Sequence, residues 1–157
     1  MSRSKKIMGC DAALKGLAFV SYPSLEYVWI KRPKNSDLQF LLTFYFEQCN
    51  NIECDAVFLE DVPFVRNVRA TIELAQILGI IRLSFLLRGI PVTMANVSSW
   101  KKQTVGFGNA KKEQIRDFVR ESPLFEGLPK TVSSDVADAA CIALFGNNIM
   151  EKEKQNG

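Results

Sequence analysis

No histidine occurs among the 157 residues. That absence removes His–Cys zinc sites, the Ser-His-Asp and Cys-His nucleophile systems, and any imidazole general base. Chemistry on this chain has to run on carboxylates, lysines, hydroxyls or thiols. Paired cysteines are missing as well: Cys10, Cys49, Cys54 and Cys141 form no CxxC pair, and even the CNNIEC stretch lacks the further ligands of a zinc site. The opening MSRSKKIMGC has neither the apolar run nor the small-residue cleavage site of a secretory signal, so the four are expected to be free thiols in a reducing cytoplasm. Long hydrophobic runs are also absent. The oiliest stretch, residues 74–87, is interrupted by Gln76, Arg82 and Ser84, short of the ~18 uncharged residues a membrane span needs, and no membrane role is expected.

What remains is an ordinary globular composition, 47% hydrophobic, 24% charged and 10% aromatic, with no repeat and no linker long enough to divide it. One domain is expected over residues 1–146, followed by a polar, frayed tail at 147–157. The net charge of +3 conceals an alternation. Residues 1–34 carry +5, residues 35–65 carry −6, residues 66–120 carry +7 and residues 121–157 carry −3. Solvated faces would account for this, and so would an acidic centre set among basic surface, which suits a protein that grips a phosphate backbone while cations sit on its carboxylates.

Apolar runs at residues 6–10, 17–21 and 26–30, the last two joined by a Tyr-Pro-Ser turn, predict a three-strand meander. Leu38, Leu41, Leu42, Tyr45 and Phe46 recur at a helical spacing within 35–50, with Ser36 as the expected N-cap. Residues 56–59 and 92–95 read as buried strands, and the segment 68–87 as a long helix apolar on nearly every side. After a short basic stretch at 100–102 and the loop 106–109, helices are expected at about 111–121 and from Ser133-Ser134 onward. A meander followed by helices alternating with single strands predicts an α/β sandwich with a mixed sheet.

Four acids stand out within that plan. Asp11 and Glu60 each sit where an apolar run stops, the place where an open α/β sheet offers side chains to a ligand. Asp135 and Asp138 are three apart in the first turns of the last helix and project from one face. Singly, each has a structural explanation as a turn residue or as an acid complementing a helix dipole. Together they would hold their protons tightly unless cations neutralised them, and an oxygen-only donor set favours Mg²⁺ or Mn²⁺. Two such ions can promote phosphodiester cleavage without an imidazole. Near them in sequence, Trp100, Lys101, Lys102, Phe107, Lys111, Lys112 and Arg116 interleave bases with aromatics, a pattern suited to phosphate contact and base stacking. Arg66 and Arg69 are further basic candidates.

These residues resemble the RuvC-type Holliday junction resolvases of the RNase H-like nuclease superfamily. The likeness rests on Ile7-Met8-Gly9-Cys10-Asp11 followed by Gly16-Leu17-Ala18, on Phe58-Leu59-Glu60, on Trp100-Lys101 through a GxGxAxKxQ stretch at 106–114, and on Asp135-Val136-Ala137-Asp138-Ala139-Ala140. It spans about residues 6–146. The resemblance implies a five-stranded mixed sheet flanked by helices, and two Mg²⁺ ions on Asp11, Glu60, Asp135 and Asp138, with Mn²⁺ as a substitute. It also implies Lys101 and Lys112 on the phosphate backbone, and a homodimer that nicks four-way DNA junctions symmetrically, with any helicase partner left open. The apolar helix at 68–87 would supply the dimer contact, tested by a charge at Leu78. Phe64, beside Pro63, stands near the family's aromatic wedge and could open a junction or simply pack. The short chain is compatible with a phage version. A less selective branched-DNA nuclease and a junction binder with little cleavage are the competing expectations.

Overall fold

The computed structural model describes residues 3–62 and 67–157. Five strands form one sheet in the order β3-β2-β1-β4-β5. The meander β1 (Ile7–Ala13), β2 (Gly16–Tyr22) and β3 (Tyr27–Lys31) is antiparallel, while β4 (Ala56–Glu60) and β5 (Val92–Ala95) run parallel to β1. The mixed sheet is therefore as expected, with β1 at its centre. Strand alternation assigns Met8, Cys10, Leu17, Phe19, Val57 and Leu59 to one face and Ile7, Ala18, Val20, Ala56 and Phe58 to the other, each face with its own core.

Helices α1 (Leu38–Asn50) and α2 (Val68–Leu86) cover the first face. Helices α3 (Val97–Thr104), α4 (Lys112–Glu121) and α5 (Ser134–Asn156) cover the second. Among the described residues, no helix is long and apolar enough to cross a membrane.

α5 lies close against the sheet because its inner surface is Ala137, Ala139, Ala140 and Ala143, and because Gly9 faces it from β1. A Cβ at Gly9 would stand 2.9 Å from the Ala143 Cα and closer still to the Ala139 carbonyl oxygen and the Ala143 nitrogen. Only glycine permits that approach.

Several local expectations need correction. Asp37, not Ser36, caps α1: its carboxylate accepts from the Phe40 N–H at 2.8 Å, while the Ser36 hydroxyl donates to the Pro33 carbonyl. The basic stretch after Ser99 belongs to α3, a helix started by Asn96, whose side chain accepts from the Ser99 N–H, and anchored by the fully buried Trp100. β5 is an edge strand with Thr93 exposed, not a buried one. The segment 147–157, expected to fray, continues α5 to Asn156, with Ile149 and Met150 still packing on the core. Leu78 is 4% exposed and faces the chain's own sheet with Leu74, Ile77, Ile81 and Phe85, so a charge there would damage the core.

Candidate metal-dependent nuclease site

The four acids converge because two periodicities meet. Parallel pairing of β1 with β4 ends at Cys10 opposite Leu59, so Asp11 and Glu60 are the next residues on neighbouring strands. Two residues after Gly9 and Phe58 respectively, both carboxylates point toward the face that α5 covers. α5 starts beside them, its N-terminus capped by the Ser133 hydroxyl accepting from the Val136 N–H at 3.3 Å, and the i, i+3 spacing turns Asp135 and Asp138 to the same side. All four acids line one cavity of about 300 Å³, walled by Ala70 and Leu74 of α2 and reached by Lys112 of α4. Asp11 lies within β1, two residues before the strand ends, rather than after it.

Crowded carboxylates hold protons. Asp11, 6% exposed, is pushed well above the ordinary carboxylate range, first by burial and then by the charges of Glu60, Asp138 and Asp135. Asp138 is raised to about 7 by burial and by Glu60, with Lys101 and Lys112 opposing. Burial also raises Glu60; against this, the Trp100 indole N–H donates to its Oε2 at 3.1 Å, and Lys101 adds a favourable charge. The Lys15 ammonium meets the Asp135 carboxylate at 2.9 Å, which raises the lysine above its ordinary value. Asp138 Oδ1 is buried without a hydrogen-bond partner.

Among the described residues, no three acidic or thiol side chains converge on a single point as the ligands of one ion do. The donor chemistry nevertheless fits a hard divalent cation. Every donor is oxygen, the mutual repulsion asks for positive charge, one buried oxygen has no partner, and Lys15 already supplies a cation at Asp135. The thiols do not compete: all four are free, and burial pushes Cys49 up to about 12 and Cys10 well above its usual value.

The basic candidates divide. Lys112 borders the acidic cavity, and Lys101 sits with its Nζ 5.7 Å from the centroid of the Trp100 ring. Lys102, Lys111 and Arg116 are exposed on α3, at the start of α4 and along α4, and Arg69 is exposed in the first turn of α2. Phe64 and Arg66 lie outside the described residues. Trp100 is fully buried and serves Glu60, so it offers no ring to a base, whereas Phe107 is 40% exposed. Lys15 escaped the sequence reading; its one signal is a lysine in the two-residue β1–β2 turn, four residues from Asp11.

The family model for the crossover junction endodeoxyribonuclease RuvC matches residues 22–145. The chain belongs to the RuvC family. RuvC of Dictyoglomus thermophilum is 29% identical over 124 residues, covering 76% of this chain and 77% of that one. RuvC of Clostridioides difficile is 27% identical over 163 residues, covering 96% and 95%. The structure of Thermus thermophilus RuvC in complex with a Holliday junction substrate superposes with a TM-score of 0.75 at 20% identity, over 90% of this chain and 92% of that one. The fold is thus RNase H-like, and the family is one of phosphodiester hydrolases that act at crossover junctions. Asp11 precedes the range matched by the RuvC model, so its membership of the site rests on the geometry just described.

Proposed function

We propose that this protein is a homodimeric, Mg²⁺-dependent endonuclease that resolves four-way DNA junctions by nicking two strands symmetrically. The observation that carries the proposal is the single cavity into which β1, β4 and α5 deliver Asp11, Glu60, Asp135 and Asp138, with Lys112 at its border. Two Mg²⁺ ions, for which Mn²⁺ would substitute, supply there the charge that lets four carboxylates coexist ionised and the Lewis acidity that phosphodiester hydrolysis needs.

The chain's own groups do the positioning. Asp11 and Glu60 are held by the sheet, Glu60 additionally by the Trp100 N–H, and Asp135 and Asp138 by the close packing of α5. Lys101 and Lys112 flank the acids and bind the phosphate whose ester bond is cleaved. Lys102, Lys111, Arg116 and Arg69 hold DNA on either side. Arg66 and Phe64 are assigned by sequence position to the backbone and to the junction centre.

The dimer contact is assigned to the outer face of α2, where Ile72, Leu83 and Leu86 are 55%, 46% and 52% exposed at helical spacing. Gly79 lies on that stripe with nothing within 4 Å of where a Cβ would sit, which leaves room for a second helix to approach. A synthetic mobile four-way junction tests the proposal: paired, ligatable nicks in Mg²⁺ that disappear in EDTA and in Asp11→Asn support it. Equal cleavage of forks and flaps would favour a less selective nuclease, and binding without cleavage would reject the enzyme.

A further inference from the structure

Tyr27 and Trp29 are two residues apart on the edge strand β3, opposite Val20 and Ala18, and therefore share the α5 face of the sheet. The Trp29 ring comes close to Gly16: a Cβ there would stand 2.7 Å from it, so glycine at this position makes room for the indole. Tyr27 is 47% exposed. The two rings line an open cleft of about 440 Å³ together with Thr131, Val132 and Ser133 of the segment that leads into α5. Asp135 lines this cleft and the acidic cavity alike, and Lys15, bonded to Asp135, stands at the boundary. One side chain separates an aromatic slot from the carboxylates.

We infer that this cleft receives a single unpaired nucleobase, stacked on Trp29 and Tyr27, from the nucleotide adjoining the phosphate that is cleaved. The inference rests on the assignment of Asp135 to a phosphodiester-cleaving site. Every base has a π-face, so two rings give affinity for any base, and the hydroxyls of Thr131 and Ser133 offer hydrogen bonds to its edge. Lys15 lies where the adjoining phosphate would pass, and its side chain is 64% exposed. A base held there fixes the register of the strand relative to the four acids, so the cleft places the cut without taking part in it.

The chain has two tryptophans, and Trp100 is buried beside Glu60, so a change in indole emission on adding DNA reports on Trp29 when Trp29→Phe removes it. The experiment titrates a synthetic four-way junction and a short single-stranded oligonucleotide against the protein. It also measures single-turnover cleavage of the junction and of the same junction with an abasic residue next to the cleaved bond. We expect emission to be quenched by both DNAs, and Trp29→Ala to weaken junction binding by roughly fivefold to a hundredfold with Trp29→Phe largely restoring it. The loss should vanish on the abasic junction, where the base is already gone. Tyr27→Ala, at an exposed ring, should show the same pattern at smaller size and covers the case in which Trp29→Ala does not fold. Equal losses on intact and abasic junctions, or unchanged emission, would overturn the inference. If the wild type cleaves no junction, the functional proposal fails, and quenching by the oligonucleotide still decides whether the cleft holds a base.

Discussion

Replacing Gly9 by alanine tests how the fold positions the chemistry. The added methyl points from the central strand into the backbone of α5, 2.9 Å from the Ala143 Cα and nearer to the Ala139 oxygen and Ala143 nitrogen. Ordinary contact begins at 3.4 Å, so helix and sheet must separate by at least the 0.5 Å difference, and by roughly an ångström to free the polar atoms. No flexible side chain can turn away to absorb this, because every obstructing atom is backbone. Overpacking of this kind costs about 1–3 kcal/mol, which for a chain of this size is a fall in Tm of roughly 2–12 °C. The larger effect is functional. Asp11 and Glu60 stay with the sheet while Asp135 and Asp138 move with α5, and a displacement near 1 Å in a reacting constellation costs about a hundredfold in rate. Thermal unfolding by circular dichroism and single-turnover junction cleavage would be measured on the same preparation. Wild-type melting with a wild-type rate would refute the claim that α5 must touch Gly9 to assemble the site.

Trp100→Phe keeps an aromatic ring but removes the fused pyrrole ring, and with it the indole N–H that donates to Glu60. We expect a loss of about 1.5–3 kcal/mol in stability, as for a hydrogen bond to a charged group, and weaker Mn²⁺ binding by calorimetry; unchanged affinity would dismiss the positioning role. In metal-free protein, Asp138 has its proton affinity raised from 3.8 to about 7, so the folded state keeps a proton that the unfolded chain gives up. Stability should therefore be highest in acid and fall as pH rises toward 7, by on the order of 1–2 kcal/mol after discounting for the coupled set, and Asp138→Asn should flatten the curve; a metal-free protein equally stable at pH 5 and pH 8 would contradict this. Ile72→Asp, on the exposed face of α2, should leave the circular dichroism spectrum intact while halving the mass seen by light scattering, and an undisturbed dimer would move the interface elsewhere.

The sheet was readable in the sequence because its strands are continuous apolar runs bounded by Pro, Gly and polar turns, and the four acids because each sits at the margin of such a run or in a helix's first turns. What failed to show depends on contacts distant in sequence. Trp100 looked like a surface aromatic among lysines, yet forty residues away Glu60 offers the acceptor that makes its burial favourable. Lys15 is one turn lysine among several until the fold brings α5 against it. Ser36 and Asp37 are both good caps, and only the backbone path decides between them. Composition marked residues 147–157 as a polar tail, but Ile149 and Met150 find the core and carry the helix past it. Likewise the all-round apolar character of α2 hid which stripe faces outward: Leu78 turns to the sheet, and Ile72, Leu83 and Leu86 turn away.

The most direct test of the central claim is strand mapping on a mobile four-way junction, comparing wild type, Asp11→Asn, Glu60→Gln, Asp135→Asn and Asp138→Asn in Mg²⁺ and in EDTA. If the four carboxylates form one cation-dependent site, wild type gives paired nicks in Mg²⁺ and none in EDTA, and each substitution alone abolishes cleavage while the protein still binds the junction. Full cleavage by any one of the four variants, or nicking that persists in EDTA, would contradict it.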